Sequence, residues 1–159
     1  LKMTAPRYQN IASDEIPEII RDDGVKIRLI AGEMDGIRGP VSGIFANPTY
    51  MDVSIPANGS FSYSVERGDT VFAYVFEGEG VFDSGDLPKV ETVAQPRLVV
   101  LGDTGYFEAR ATNSYVRFLL ISGKPLNEPI ARHGPFVMNT QDEIQKALED
   151  LRNGTFVKN

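Results

Sequence analysis

Side chains able to do chemistry are scarce in this sequence. His133 is the one histidine and there is no cysteine, so a site built from several imidazoles or thiolates cannot be assembled from this chain. His133 lies between Arg132 and Gly134, just ahead of Gly134-Pro135-Phe136-Val137-Met138-Asn139, a context that reads as a loop. A lone histidine is more often structural or simply exposed than a ligand, and no Gly-x-Ser-x-Gly elbow supplies a nucleophile for it to activate. The carboxylates Glu77, Glu79, Asp83 and Asp86 gather around Glu77-Gly78-Glu79-Gly80, whose glycines predict a tight turn. Such a cluster could take a hard cation such as calcium. Its spacing does not match an EF-hand loop, and a solvated turn accounts for it better. The same glycines are not a phosphate loop, since no Gly-Lys-Ser/Thr follows and no helix begins there.

Aromatic residues are the other chemical resource. Tyr50, Tyr63, Tyr74, Tyr106 and Tyr115, with Phe61, Phe72, Phe76, Phe107 and Phe118, all fall on predicted strands. A barrel lined by them could hold a flat, flavonoid-like molecule. Ordinary packing is the stronger expectation, because small barrels fill their interiors with side chains.

The elements that must position these residues are mostly strands. Residues 1–23 read as an extended arm, in which Pro6 and Pro17 disfavour helix and Ser13-Asp14-Glu15 allows at most a capped turn. From Gly24 the pattern changes. Val25, Ile27 and Leu29 alternate with Lys26, Arg28 and Ile30, and Met51, Val53 and Ile55 repeat the period of a half-buried strand. Pro56-Ala57-Asn58-Gly59 predicts a turn, after which Phe61, Tyr63 and Val65 are expected to pair back on the preceding strand. The apolar run Val71 to Phe76 suggests a strand covered on both faces. Further strands are expected at Arg97 to Leu101, Tyr106 to Ala109 and Tyr115 to Ile121, with Gly102-Asp103-Thr104-Gly105 as a turn. Many short strands separated by Gly and Pro turns predict an all-β sandwich or barrel.

Only the C-terminus reads as helix. Thr140 and Glu143 form a capping box, Ile144, Ala147, Leu148 and Leu151 share one face, and Gly154 is placed to stop the helix. That apolar stripe has to be covered, by the barrel or by a partner.

Composition narrows the function classes. The 159 residues, 42% hydrophobic and 24% charged, suit one globular domain. A net charge of −6 without a basic stripe argues against direct nucleic-acid binding. No apolar run reaches the roughly 18 residues of a membrane helix, and the absence of cysteine makes a cytoplasmic location the default expectation. The opening Leu1-Lys2-Met3-Thr4-Ala5-Pro6-Arg7-Tyr8 does not resemble a natural start, so an upstream part is expected.

The tail carries a recognisable pattern. Gly123-Lys124-Pro125-Leu126-Asn127-Glu128-Pro129, then Gly134-Pro135-Phe136-Val137-Met138-Asn139-Thr140 and the capped helix ending Arg152-Asn153-Gly154, resembles the C-terminal signature of the pirin family. The opening segment through Gln9 resembles the joint between the two halves of a pirin, and Ile16-Pro17-Glu18, Gly24-Val25-Lys26 and Ile30-Ala31-Gly32-Glu33 continue the match. Pirins are bicupins. The resemblance therefore implies a cupin (double-stranded β-helix, or jelly-roll) barrel, with a connecting arm over 1–23, the barrel over 24–139 and a helix and tail over 140–159.

In that family the first cupin holds one iron through three histidines and a glutamate. Bacterial members resemble quercetin 2,3-dioxygenases, and animal members act as iron-dependent transcriptional co-regulators. The resemblance implies that iron belongs to a missing N-terminal cupin, which would be this chain's main partner, in the same protein or as a separate chain. A second metal site here would need a His-x-His pair near Val65 and Arg67, a glutamate near Val71 and a last histidine between Gly105 and Arg117, and none of these is present. The expectation is no catalytic, cofactor-binding or metal residue in this chain. Three readings remain: the metal-free half of a quercetin 2,3-dioxygenase-type enzyme, closing the metal cupin with the arm and end helix; a non-enzymatic cupin module acting through protein contacts; or a free-standing half that pairs with itself or a separately encoded partner.

Overall fold

In the computed structural model, which describes residues 7–83, 91–102 and 105–157, inward apolar side chains alternate with outward polar ones along the long strands. The described residues divide into two compact units, residues 10–125 and residues 126–157 together with 7–9.

The first unit begins with a single 3-10 turn at Ser13–Glu15, where the Glu15 carboxylate accepts a bond of 2.6 Å from the Ala12 backbone N–H. Arg28 pins this turn by donating to the Ser13 carbonyl and hydroxyl, at 3.1 and 2.7 Å. The strands follow in chain order: β1 Glu18–Ile20, β2 Lys26–Ala31, β3 Glu33–Met34, β4 Ile37–Arg38, β5 Thr49–Ile55, β6 Ser60–Ser64, β7 Thr70–Asp83, β8 Thr92–Ala94, β9 Arg97–Leu101 and β10 Tyr106–Gly123. All but the β3–β4 hairpin join one antiparallel sheet in the order β1-β2-β5-β10-β7-β8, with β6 also on β10 and β9 also on β7. The arm thus contributes an edge strand, with Glu18 opposite Arg28.

Four expectations from sequence are corrected here. Tyr106 to Ala109 and Tyr115 to Ile121 are not two strands but parts of the single 18-residue β10. The residues between the two expected strands form a bulge in the pairing with β7, between Ala111 and Val116. Phe61 to Val65 does not fold back on β5: β6 pairs with Tyr106–Arg110 of β10, and β5 pairs with Val116–Ser122 of the same strand. Pro56–Gly59 carries the chain past the bulge, tied to it by the Asn58 N–H on the Thr112 carbonyl (2.8 Å) and the Ala111 N–H on the Gly59 carbonyl (3.0 Å).

The third correction concerns Glu77-Gly78-Glu79-Gly80. No turn forms there, and β7 runs straight through. Gly78 has a φ of +71°, and a side chain on it would collide with the Tyr115 carbonyl. A Cβ on Gly80 would come within 2.8 Å of the Arg110 carbonyl. These glycines let β10 bulge against β7, which is why they resemble turn residues in sequence. Nor is the Val71–Phe76 run covered on both faces: Val71, Ala73 and Val75 are buried, whereas Tyr74 is exposed. Asp86 and Asp103-Thr104 lie outside the described residues, as does the segment 1–6 with Pro6.

The core of this unit gathers the inward faces of β2, β5, β6, β7 and β10. At its centre Phe61, Phe82, Phe107 and Phe118 pack in tilted and edge-on pairs with ring centroids 5.1 to 6.4 Å apart, within the range that favours aromatic pairs. The architecture is the jelly-roll cupin expected from sequence.

The second unit is a hairpin and a helix: β11 Ala131–His133 pairs with β12 Phe136–Met138, and α1 spans Gln141–Arg152. The capping box forms, with the Glu143 N–H on the Thr140 hydroxyl at 3.2 Å and the Thr140 N–H on the Glu143 carboxylate at 3.0 Å. At the other end Gly154 turns with φ +72°, and the Thr155 N–H reaches the Asp150 carbonyl at 2.8 Å, the Schellman closure. The apolar stripe meets the hairpin that precedes it. Ile144 and Ala147 are buried with Ala131 and Met138, Phe136 and Leu148 pack alongside, and Leu151 stays exposed.

Phe118 is fully buried and stacks on two of the other three rings. Phe118→Ala is therefore expected to destabilise the chain by about 3–5 kcal/mol, measured by urea denaturation. A loss below about 1 kcal/mol would contradict this packing.

Candidate functional site

The alternation that builds the core also decides what the barrel can hold. Val65 and Val71, at positions where a cupin would place metal ligands, are 8% and 3% exposed and belong to the hydrophobic core. Arg67 is exposed in the turn that follows, and the inward residues of β10 from Phe107 to Val116 are apolar. Among the described residues no group of three or more His, Cys, Asp or Glu is close enough to hold a metal ion. The inward aromatics press on one another rather than lining a void. Tyr74, Tyr106 and Tyr115 are exposed on the outside.

A cleft of about 440 Å³ opens beside this core at one end of the barrel, between the residue 32–49 segment and the β6–β7 turn. Val65 is part of its lining, with the side chains of Thr49, Tyr63, Glu66, Asp69 and Ser122. Loop 44–48, which walls one side, is tied down by the Lys124 N–H on the Ala46 carbonyl at 2.9 Å. Ser122 is inward-facing like Val116, Phe118 and Leu120 before it, and at 3% exposure it is the one buried polar residue among those described. Its register partners are Thr49 on β5 and Val71 on β7. No hydrogen bond from its hydroxyl to another described residue is found, and a buried hydroxyl left without a partner costs about 1–3 kcal/mol.

The charges of the cleft are unevenly matched. Arg38 donates to Glu33 at 2.7 Å, and Tyr63 donates to the Glu33 carbonyl at 3.1 Å. Glu66 and Asp69 flank a turn closed by the Asp69 N–H on the Glu66 carbonyl at 3.2 Å. Burial, and then the neighbouring Glu66, push the Asp69 carboxyl above its usual 3.8, opposed in part by Lys124. Desolvation and like-charge proximity both disfavour a carboxylate.

On the outer face of the sheet a second, smaller groove of about 210 Å³ holds Glu18, Lys26, Arg28, Asp52, Glu77 and Arg117. Here charges balance. Arg117 grips Asp52 with two bonds of 2.9 and 2.7 Å, reaches Glu77 at 3.1 Å and lies 5.0 Å over the ring of Phe76. Bonding to Asp52 holds its guanidinium even more firmly protonated than usual. This network ties β5, β7 and β10 together rather than offering a site.

The carboxylates singled out in sequence are scattered by the fold. Glu77 serves Arg117 and accepts from the Tyr115 hydroxyl at 3.2 Å, while Glu79 accepts from the Thr112 hydroxyl at 3.0 Å. Both stand beside the bulge of β10. His133 ends β11 opposite Phe136 and is exposed, on a strand rather than in a loop. The cleft residues went unnoticed in sequence. Its one available signal was Ser122, a hydroxyl at an inward position of an otherwise apolar strand.

Residues 50–157 match the Pirin C-terminal cupin domain. The chain is 40% identical over 159 residues to a pirin-like protein of Arabidopsis thaliana, covering 96% of this chain and 56% of that protein. It is 36% identical over 153 residues to Pirin of Mus musculus, covering 96% and 51%. Among solved structures, quercetin 2,3-dioxygenase from Acinetobacter baumannii superposes with a TM-score of 0.81 at 32% identity, over 94% of this chain and 50% of that one. The chain thus spans about half the length of the curated relatives it matches.

The Asp69 shift has a sign that can be tested. A carboxyl whose folded pKa is raised adds stability only when protonated, so above that pKa the charged form is a burden, which vanishes below the unfolded pKa near 3.8. Asp69→Asn should raise the melting temperature at pH 7, with the gain shrinking as pH falls towards 3.8. A lower melting temperature at pH 7 would show that the charged carboxylate is needed.

Proposed function

This chain belongs to the pirin family, whose C-terminal cupin domain it matches, and on that premise we propose that it is the metal-free half of a longer protein. In this reading iron, and a quercetin 2,3-dioxygenase-type activity, belong to an N-terminal cupin half in a cytoplasmic protein. The observation that carries the proposal is the burial of Val65 and Val71 among core side chains at positions where a cupin would need ligands. Hydrocarbon offers no lone pair, and introducing ligands there would dismantle the packing around Phe61 and Phe107. A flavonoid-like substrate would meet the other half, because the aromatic rings of this barrel are already packed on one another.

The partner half needs a surface, and the outer face of the sheet supplies an apolar one. Tyr50, Ile121, Phe72 and Val100 follow one another across β5, β10, β7 and β9, and Leu119, Tyr74 and Leu98 form the next row. Leu98 and Val100 are 58% and 65% exposed. Contiguous exposed apolar residues are what protein interfaces use. The same face supports the second reading, a non-enzymatic cupin module working through protein contacts. The acidic charge of −6 supports neither nucleic acid nor an anionic membrane as partner.

The two readings separate on activity, and both rest on where the metal sits. Iron analysis should find about one tightly held iron per chain in the full-length protein and none above trace in this chain. Quercetin consumption under oxygen by the full-length protein supports the enzyme, and iron without consumption supports the module. Stoichiometric iron in this chain alone would overturn both.

A further inference from the structure

We propose that the cleft at the end of this barrel is a binding site for a small organic ammonium ion. It goes beyond the metal-free reading, since a site of this kind needs neither iron nor the other half. Three features of different origin meet there. The first is size: about 440 Å³ falls in the range of small-molecule pockets, which barrel mouths commonly form. The second is the hydroxyl of Ser122, a cleft-lining residue only 3% exposed, which bonds to no described residue. The third is charge. With Glu33 occupied by Arg38, the carboxylates of Glu66 and Asp69 remain, neither within salt-bridge distance of a described cation, and Lys124 acts on Asp69 only at longer range.

Thr49, Glu66, Asp69 and Ser122 all line the cleft. Ser122 stands between Thr49 and Val71, and Asp69 is two residues ahead of Val71 on the approach to β7. An ammonium carries three N–H donors and no acceptor. The two carboxylates and the Ser122 oxygen are acceptors in matching number, and Thr49 offers another oxygen beside them. A cationic guest would also relieve the repulsion from Glu66 that, after burial and against Lys124, raises the Asp69 pKa. A bare metal ion fits less well. Calcium and magnesium favour six or more oxygens with several carboxylates, and no group of three acidic or His/Cys side chains gathers here among the described residues. Tyr63 is the one aromatic in the lining, and its hydroxyl is already engaged with the Glu33 carbonyl, so a polar aliphatic amine is favoured over a flat aromatic one.

The test is a 15N–1H NMR titration of the chain with putrescine, a small diamine, against 1,4-butanediol, which has the same carbon skeleton with hydroxyls for amines. Putrescine should give saturable shifts centred on the backbone amides of Glu66, Asp69 and Ser122, and butanediol should not. Asp69→Asn and Glu66→Gln should each weaken binding about tenfold, the effect of losing one charge-assisted contact, and Ser122→Ala about threefold. Glu66 is exposed and its variant serves if the others fail to fold. Shifts that never saturate and spread over the acidic surface, equal shifts with the diol, or affinities unchanged by Glu66→Gln would each overturn the proposal. Because iron takes no part in the titration, its result is independent of where the metal resides.

Discussion

Everything in the barrel hangs on one strand lying between two sets of neighbours. From Tyr106 to Gly123, β10 bonds to β6 and then β5 along one edge, and to β7 along the other. A strand of that length cannot follow both without a change of direction, and the bulge after Ala111 provides it. The bulge in turn requires β7 to offer no side chain where the Tyr115 carbonyl presses in, which is the place of Gly78. Around this joint the polar contacts collect: Glu77 with Tyr115 and Arg117, Glu79 with Thr112, and the loop 56–59 bonded across it. The phenylalanine cluster fills the space that the bent sheet encloses.

The same joint explains what could and could not be seen in the sequence. Alternation in β2 and β5, the cap and stop of α1, and the all-β character were all legible, because each depends on local period or on a few neighbouring residues. Family resemblance in the tail supplied the topology. What failed was anything set by residues distant in sequence. Glu77-Gly78-Glu79-Gly80 and a hairpin turn share the same local chemistry, and only Tyr115, 37 residues beyond Gly78, distinguishes them. The unbroken run of β10 and the pairing of β6 escaped for the same reason, since both depend on where the bulge falls. The helix stripe was correctly identified, but its cover, a hairpin closed by Ala131 and Met138, is too short to register as strands.

Site legibility was likewise uneven. The absence of histidines at the ligand positions was plain, and the structure adds that Val65 and Val71 are integrated into the core rather than left around an empty centre. The polar cleft beside them is assembled from the β2–β5 connection, the β6–β7 turn and the last inward residue of β10. Its polar groups come from separate stretches of sequence: residues 63–69 supply Tyr63, Glu66 and Asp69, while Thr49 and Ser122 lie far away along the chain. The barrel thus combines a hydrocarbon interior with a hydrophilic mouth, suited to packing within and polar recognition at the rim.

The central claim, that metal in the full-length protein resides outside this barrel, is tested most directly by anomalous diffraction at the iron edge from crystals of the iron-loaded full-length protein. The account predicts one strong anomalous peak in the half that precedes this chain and none within the barrel of residues 24–125. A peak among Val65, Val71 and the inward residues of β10, or in the cleft beside Ser122, would contradict it.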